Sequence, residues 1–213
     1  DENLLAEGVA PERISFVGNI MIDSYELMRD QIEKAGTREA LGLTASGYGV
    51  VTLHRPSNVD HPETLSRLID TLVTVSTDLP LVFAMHPRTR KNIETHGYLK
   101  RLESAENIRV TEPMSYINFL SLVREAKMVL TDSGGIQEET TYLGIPCLTL
   151  RDTTERPITV TQGSNRLVTP ENLEEMIAKV VAGDWPTGRK PDLWDGRTAG
   201  RIAADIKRRT AKK

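Results

Sequence analysis

The run Met128-Val129-Leu130-Thr131-Asp132-Ser133-Gly134-Gly135-Ile136-Gln137-Glu138-Glu139 carries the strongest chemical signal in the chain. An apolar stretch ending at Thr131, two glycines, and a helical pattern from Ile136 predict a strand, a tight turn and a helix start. Unpaired amide N–H groups at such a start make an anion site for a phosphate or diphosphate, and Ser133 adds a hydroxyl donor. Glu139 lies about one turn into the helix, where its carboxylate is suited to accept hydrogen bonds from a ribose diol rather than to meet phosphate. A plainer reading stays open: Asp132 or Ser133 caps the helix while Gly134-Gly135 only turns the chain. The run is not a Walker loop, because no Gly-Lys-Ser/Thr follows, and no G-x-G-x-x-G occurs anywhere in the chain.

Three more polar clusters each follow an apolar run. His54-Arg55-Pro56-Ser57-Asn58-Val59-Asp60 pairs a titratable imidazole with a fixed cation, although a loop histidine bonded to Asp60 or Asn58 would read the same. His86-Pro87-Arg88-Thr89-Arg90 repeats the pairing, and Arg151-Asp152-Thr153-Thr154-Glu155-Arg156-Pro157 is the fourth. Taken singly, each is a loop of surface ion pairs with little energetic worth. Gathered at one edge of a sheet, beside a helix N-terminus, they suit a ligand with two or more negative charges. Metal binding is disfavoured: His54, His61, His86 and His96 form no HExxH, and Cys147 has no CxxC partner. A serine nucleophile lacks its G-x-S-x-G, and Cys147 sits in an apolar run where a buried, inert thiol is expected.

The elements that must hold these clusters alternate. Short apolar runs at Ile14–Val17, Val50–Leu53, Leu81–Met85, Ile108–Val110, Met128–Thr131 and Cys147–Leu150 read as strands. Helical spacing marks Ile20–Lys34, His61–Thr77, Ser115–Glu125, Ile136–Leu143, Pro170–Ala182 and Thr198–Thr210. Such alternation predicts right-handed βαβ crossovers and one doubly wound, mostly parallel α/β sheet from about Leu43 to Thr169. In that fold ligands bind beyond the carboxyl ends of the strands, where all four clusters fall. The end of the chain is polar, and its Lys207-Arg208-Arg209 and Lys212-Lys213 read as a solvated helix end that suits the helix dipole.

Composition narrows the function classes. With 213 residues the chain can bury a core without disulfides or structural metal, and its single cysteine argues for a reducing, cytoplasmic setting. Twenty-seven basic against thirty acidic residues, a formal charge of −3 and 5% aromatics disfavour a nucleic-acid partner. No run approaches the length of a membrane helix and no signal-peptide pattern opens the chain. The first residue is Asp1 rather than methionine, which leaves open whether a longer protein precedes it.

Thr131-Asp-Ser-Gly-Gly-Ile-Gln-Glu-Glu139, Leu143-Gly-Ile-Pro146, Leu150-Arg-Asp-Thr-Thr-Glu-Arg-Pro157 and Gly163-Ser-Asn165 occur in order. With Gly18-Asn19, Ile22-Asp23, Val51-Thr-Leu-His-Arg55 and Ser57-Asn-Val59, the sequence resembles the non-hydrolysing UDP-N-acetylglucosamine 2-epimerases over nearly its whole length. The resemblance implies an α/β, Rossmann-like doubly wound parallel sheet, the C-terminal half of a GT-B two-domain architecture. It divides the chain into a remnant of the first domain (1–19), a connecting helix (20–42), the UDP-binding domain (43–190) and a C-terminal helix with its basic tail (191–213).

The implied activity interconverts UDP-GlcNAc and UDP-ManNAc for polysaccharide biosynthesis, without a cofactor or metal, in a homodimer. Removal of the C2 proton and loss of UDP leave a 2-acetamidoglucal, to which UDP returns after protonation from the other face. Carried over by motif, Ser133, Gly134, Gly135 and Arg156 hold the diphosphate, Glu139 the ribose, and Met114 and Phe119 lie by the uracil. His54 matches an active-site histidine, while Arg55 and His86 match contacts to a second, activating UDP-GlcNAc in some members. Ile158 departs from the family's Thr-Glu-Arg-Pro-Glu, as do Ser57 in the His-Arg motif and Ser164 in Gly-Thr-Asn. The carboxylates that move the C2 proton belong to the family's first domain, so this stretch alone is expected to bind UDP weakly and not to epimerise. A GT-B glycosyltransferase half, or a non-enzymatic nucleotide-sugar module, remain the alternatives.

Overall fold

The computed structural model describes residues 2–211; Asp1, Lys212 and Lys213 of the basic tail lie outside the described residues. Two helices, α1 (Glu2–Ala6) and α2 (Ile20–Lys34), precede the short α3 (Thr37–Ala40). The sheet then alternates: β1 (Gly49–Thr52), α4 (Pro56–Val59), α5 (Pro62–Val75), β2 (Leu81–Ala84), α6 (Pro87–Thr95), α7 (Leu99–Glu103), β3 (Ile108–Thr111) and α8 (Tyr116–Val123). It continues through β4 (Met128–Thr131), α9 (Gly134–Leu143), β5 (Cys147–Leu150), α10 (Pro157–Thr161), β6 (Asn165–Val168) and α11 (Leu173–Val181), and α12 (Thr198–Thr210) follows.

All six strands pair in parallel in the order β3-β2-β1-β4-β5-β6. The strand order reverses between β1 and β4, whose registers align Thr52 with Thr131. In a doubly wound sheet this switch point opens the ligand crevice. β2, β4 and β5 are buried at every position, as expected for strands covered on both faces. One face packs Val51, Phe83, Leu130 and Leu148 against α5 and α11; the other packs Val50, Val82 and Val129 against α2 and α8. The period-two alternation thus feeds two separate cores.

Ile14–Val17 does not form the expected strand: a 3₁₀ turn at Pro11–Arg13 leads into residues without ladder partners. Side chains of α12 hold this segment instead. Arg209 donates to Ser15 Oγ at 2.8 Å and to Glu12 O at 3.2 Å, and Arg201 donates to Val17 O at 3.2 Å. Arg209 is therefore an anchor rather than a solvated helix end. β6 escapes sequence reading because Asn165 and Arg166 break its apolar run, and four short helices (α4, α6, α7, α10) fit inside expected loops. The paired Gly18 and Asp23 of the sequence motif serve the same end of the molecule. Asp23 accepts from the N–H groups of Thr198 and Ala199 at 3.0 and 2.7 Å, capping α12 from α2. Gly18 has φ +102°, and a Cβ there would stand 2.4 Å from Leu193 O.

Candidate functional site

The expected turn-then-helix at Ser133–Ile136 is corrected in one respect: α9 begins at Gly134, so the glycines are its first two residues. Neither has a positive φ, and therefore neither is required by the backbone. A Cβ on Gly135 would meet nothing within 4 Å, and the nearest atoms to one on Gly134 would be those of the Arg156 guanidinium, at 3.5 to 3.7 Å, an ordinary contact distance. Two missing side chains with nothing to accommodate leave the first N–H groups of a ten-residue helix open to an approaching anion. Ser133 is the N-cap residue in extended conformation, yet its hydroxyl makes no cap bond. Asp132 does not cap α9 either, which removes the plainer reading of the run.

Asp132 instead faces across the switch point. It is fully buried, and its carboxylate accepts from His54 N (3.0 Å), Arg55 N (2.8 Å) and Asn58 Nδ2 (3.0 Å). His54 Nδ1 lies 2.9 Å from Asp132 Oδ1, and the Asp132 carbonyl accepts from Arg55 Nε at 3.1 Å. This hydrogen bond to Asp132 raises the His54 pKa, against a smaller opposing effect of burial. Burial alone would push the Asp132 carboxyl up; the bonds from His54, Asn58 and the two amides outweigh it and leave it below the ordinary range. Asp60 is not the partner of His54: it takes Arg88 Nε at 2.8 Å. Asp132 was legible only as a cap, since nothing in sequence spacing shows which loop a buried carboxylate will face.

His86 follows β2 and is the N-cap of α6, its Nδ1 accepting from Arg88 N at 3.1 Å. Its ring centroid stands 5.3 Å from that of His54, so two of the four clusters meet.

Arg156 reaches Gly134 from the loop after β5, with its Nε 3.2 Å from Glu138 Oε2. A buried polar network fixes that loop to α9. Thr154 Oγ1 donates to Gln137 Oε1 (2.6 Å), Asn165 Nδ2 donates to Gln137 Oε1 (3.2 Å) and Thr159 Oγ1 (3.0 Å), and Thr149 Oγ1 donates to Asn165 Oδ1 (2.7 Å). Gln137 and Asn165 are fully buried, and both sit inside the sequence motifs, where nothing local marks them as supports. Arg151 clasps Glu155 in a two-point pair at 2.7 and 2.9 Å, which holds the Glu155 carboxyl down at about 2. Ile158 falls in α10, beyond the loop.

Glu139 is 5% exposed, and burial pushes its carboxyl up to about 7, against the opposing effect of the nearby Tyr116 hydroxyl. A buried carboxylate on the first turns of α9 has capacity for further donors. Met114 and Phe119 are half-buried on the same side of the sheet, against the α2–α8 core. Cys147 is buried and its thiol pushed up to about 11, so it is inert. Among the described residues, no helix is long and apolar enough to cross a membrane.

A Rossmann-like parallel sheet with an open helix start, cationic side chains and a buried carboxylate at its switch point defines a doubly wound α/β protein with a candidate anion site. Residues 1–207 match the family model of UDP-N-acetylglucosamine 2-epimerase, and the chain belongs to that family. A UDP-N-acetylglucosamine 2-epimerase of Methanocaldococcus jannaschii is 38% identical over 183 residues, covering 84% of this chain and 50% of that protein. The Pseudomonas aeruginosa UDP-2,3-diacetamido-2,3-dideoxy-D-glucuronate 2-epimerase is 34% identical over 171 residues, covering 78% of this chain and 45% of its own. The crystal structure of the M. jannaschii enzyme with UDP-GlcNAc and UDP superposes with a TM-score of 0.79 at 33% identity, covering 95% of this chain and 58% of that one. The chain spans about half the length of the curated relatives it matches, and its fold corresponds to one Rossmann-like half of the GT-B arrangement.

Proposed function

We propose that this chain is the UDP-binding half of a UDP-N-acetylglucosamine 2-epimerase. The observation that carries the reading is the pair Gly134-Gly135, helical, unneeded by the backbone and unfilled by neighbours, with Arg156 beside it. The diphosphate is assigned to the α9 N–H groups, Ser133 and Arg156, the ribose hydroxyls to Glu139, and the uracil to the side of Met114 and Phe119. His54 faces the diphosphate. Arg55 and His86 are assigned to a second, activating UDP-GlcNAc.

The chemistry then follows from where charge develops. As the bond from C1 to the diphosphate oxygen breaks, negative charge gathers on a group held by helix amides, an arginine and an imidazolium, each fixed before the step begins. The residues that remove and return the C2 proton are assigned to the part of the relatives that this chain does not span, because such groups must lie within hydrogen-bond reach of that proton. Family membership also supports a cytoplasmic homodimer that supplies an amino sugar for polysaccharide biosynthesis. A second reading keeps the same UDP site with a differently substituted sugar, supported by the P. aeruginosa relative named for a diacetamido uronate.

Calorimetry with UDP tests the binding half. The chain binds UDP, and Glu139→Ala weakens it at least tenfold, the loss of hydrogen bonds to a charged group. Unchanged affinity would remove the ribose assignment. The whole protein, given UDP-GlcNAc in D₂O, should place deuterium at C2; no exchange at activating UDP-GlcNAc concentrations overturns the epimerase reading.

A further inference from the structure

We infer that Asp132 is the positioning residue of the site, fixing the His54 imidazole so that its Nε2–H is presented to the diphosphate while the same side chain locks the His54 loop to the Ser133–Gly134 helix start. The inference rests on the nucleotide reading above for what His54 faces, but not for the Asp132–His54 pair itself. The pair stands on geometry: a carboxylate with no exposed surface, 2.9 Å from Nδ1, reaching across from the end of β4 to the end of β1.

The consequences follow from the two ring nitrogens. A carboxylate can only accept, so Nδ1 must carry its proton, and Nε2 is the nitrogen left for a ligand. The His54 side chain is 38% exposed, so that nitrogen has room to be reached. The charged groups around the ring act in opposite senses. Asp132 favours the imidazolium, while Arg55 on the same loop opposes it. His86, whose Nδ1 accepts from Arg88 N, approaches from the start of α6 with its ring centroid 5.3 Å from that of His54. Asp132 outweighs burial and Arg55 because it is near, buried and hydrogen-bonded, and His54 gains proton affinity. An imidazolium Nε2–H gives the diphosphate a charge-assisted hydrogen bond, stronger than the neutral ring could. No proton need be transferred: the C1–O electron pair leaves with the diphosphate, and the donor stays on His54.

The second consequence is mechanical. The carboxylate also holds the His54 and Arg55 amides and Asn58, and the Asp132 carbonyl holds Arg55 Nε. The next residue in the chain is Ser133, the N-cap of α9. The imidazole and the helix start are thereby set at a fixed spacing, which is what a diphosphate bridging them needs.

The test follows the His54 ring by ¹⁵N NMR across pH in the ¹⁵N-labelled chain and measures UDP affinity in parallel. In the unsubstituted chain Nδ1 stays protonated and the ring titrates above the ordinary histidine value; titration at or below that value overturns the assignment without need of any variant. In Asp132→Asn the His54 titration moves down and UDP binding at pH 7 weakens about tenfold. Introduced into a His54→Ala background, Asp132→Asn costs little further affinity. An equal loss in both backgrounds means that Asp132 is purely a structural brace, and overturns the proposal. If the chain binds no UDP at any pH, the nucleotide reading fails, and the His54 titration alone decides the Asp132 assignment.

Discussion

α5 buries Leu65, Leu68, Ile69, Leu72 and Val75 against the sheet, whereas α9, on the opposite face, buries Gln137, Glu139, Thr140 and Thr141. Both helices follow a strand of the same sheet. The first is held by non-directional apolar packing that would tolerate a small shift. The second packs Ile136, Tyr142 and Leu143 on the other core and adds hydrogen bonds to fixed partners outside the helix, Gln137 Oε1 accepting from Thr154 Oγ1 and Asn165 Nδ2. A binding surface made of backbone N–H groups works only if the helix start stays where the ligand's charge will be. Directional bonds supply that placement, and in exchange α9 carries a carboxylate, Glu139, that burial opposes.

The largest expected break in this contrast is on the apolar side. Leu72→Ala opens a cavity beneath α5 and should cost about 3 kcal/mol of stability, within the range for buried leucines. UDP affinity below the unfolding transition should stay unchanged, because no atom of the α9 start depends on that packing. A parallel loss of affinity would mean that the two faces are coupled.

Glu139→Gln acts in the reverse direction. The folded-state carboxyl lies at about 7 against an ordinary 4.5, so the folded chain holds a proton that the unfolded chain has lost between those values. Stability therefore falls as pH rises from about 4.5 through about 7 and levels off above it. At pH 8 the ionised, buried Glu139 costs about 3 kcal/mol, which glutamine avoids, while at pH 4 the two proteins should be equally stable. Urea unfolding of both at pH 4 and pH 8 measures the gap. A gap that does not widen with pH would show that Glu139 is already ionised at no cost. The same substitution should weaken UDP binding, so that function is lost as stability is gained.

The two helices also differ in how much of them the sequence disclosed. The apolar spacing of Leu65, Leu68, Ile69 and Leu72, with Pro62 ahead of it, predicts α5 almost to its ends, because packing against a flat sheet requires only a period. β4 and β5 are predicted to the residue for the same reason. α9 shows itself through Asp-Ser-Gly-Gly, a local motif, and the proposed anion site rests on that same motif. What could not be read is whatever depends on a partner distant in sequence. Asp132 finds His54 across 78 positions, and Asn165 finds Gln137 across 28. Ile14–Val17 has a strand's composition but no edge to pair with among the described residues, and β6 has an edge but not the composition. Periodicity reports burial, and only the fold reports which polar group meets which.

The finest test of the contrast is Thr154→Val, nearly isosteric, which removes one hydroxyl from the α9 network. Thr154 Oγ1 bonds to Gln137 Oε1 at 2.6 Å and accepts from Arg156 N at 3.0 Å, so it links the helix to the backbone of the residue whose guanidinium stands over Gly134. The stability cost should be about 1 kcal/mol, that of a single buried hydrogen bond, because Gln137 Oε1 keeps its bond from Asn165. UDP affinity should fall about threefold, since Arg156 remains present and charged but is less firmly placed. The salt dependence of UDP binding separates the two effects. A loosened arginine still attracts the diphosphate at long range, so Thr154→Val should keep the slope of affinity against ionic strength, whereas Arg156→Ala should flatten it. If Thr154→Val flattens that slope as Arg156→Ala does, the guanidinium has left the site altogether, and the network is what holds the charge in place.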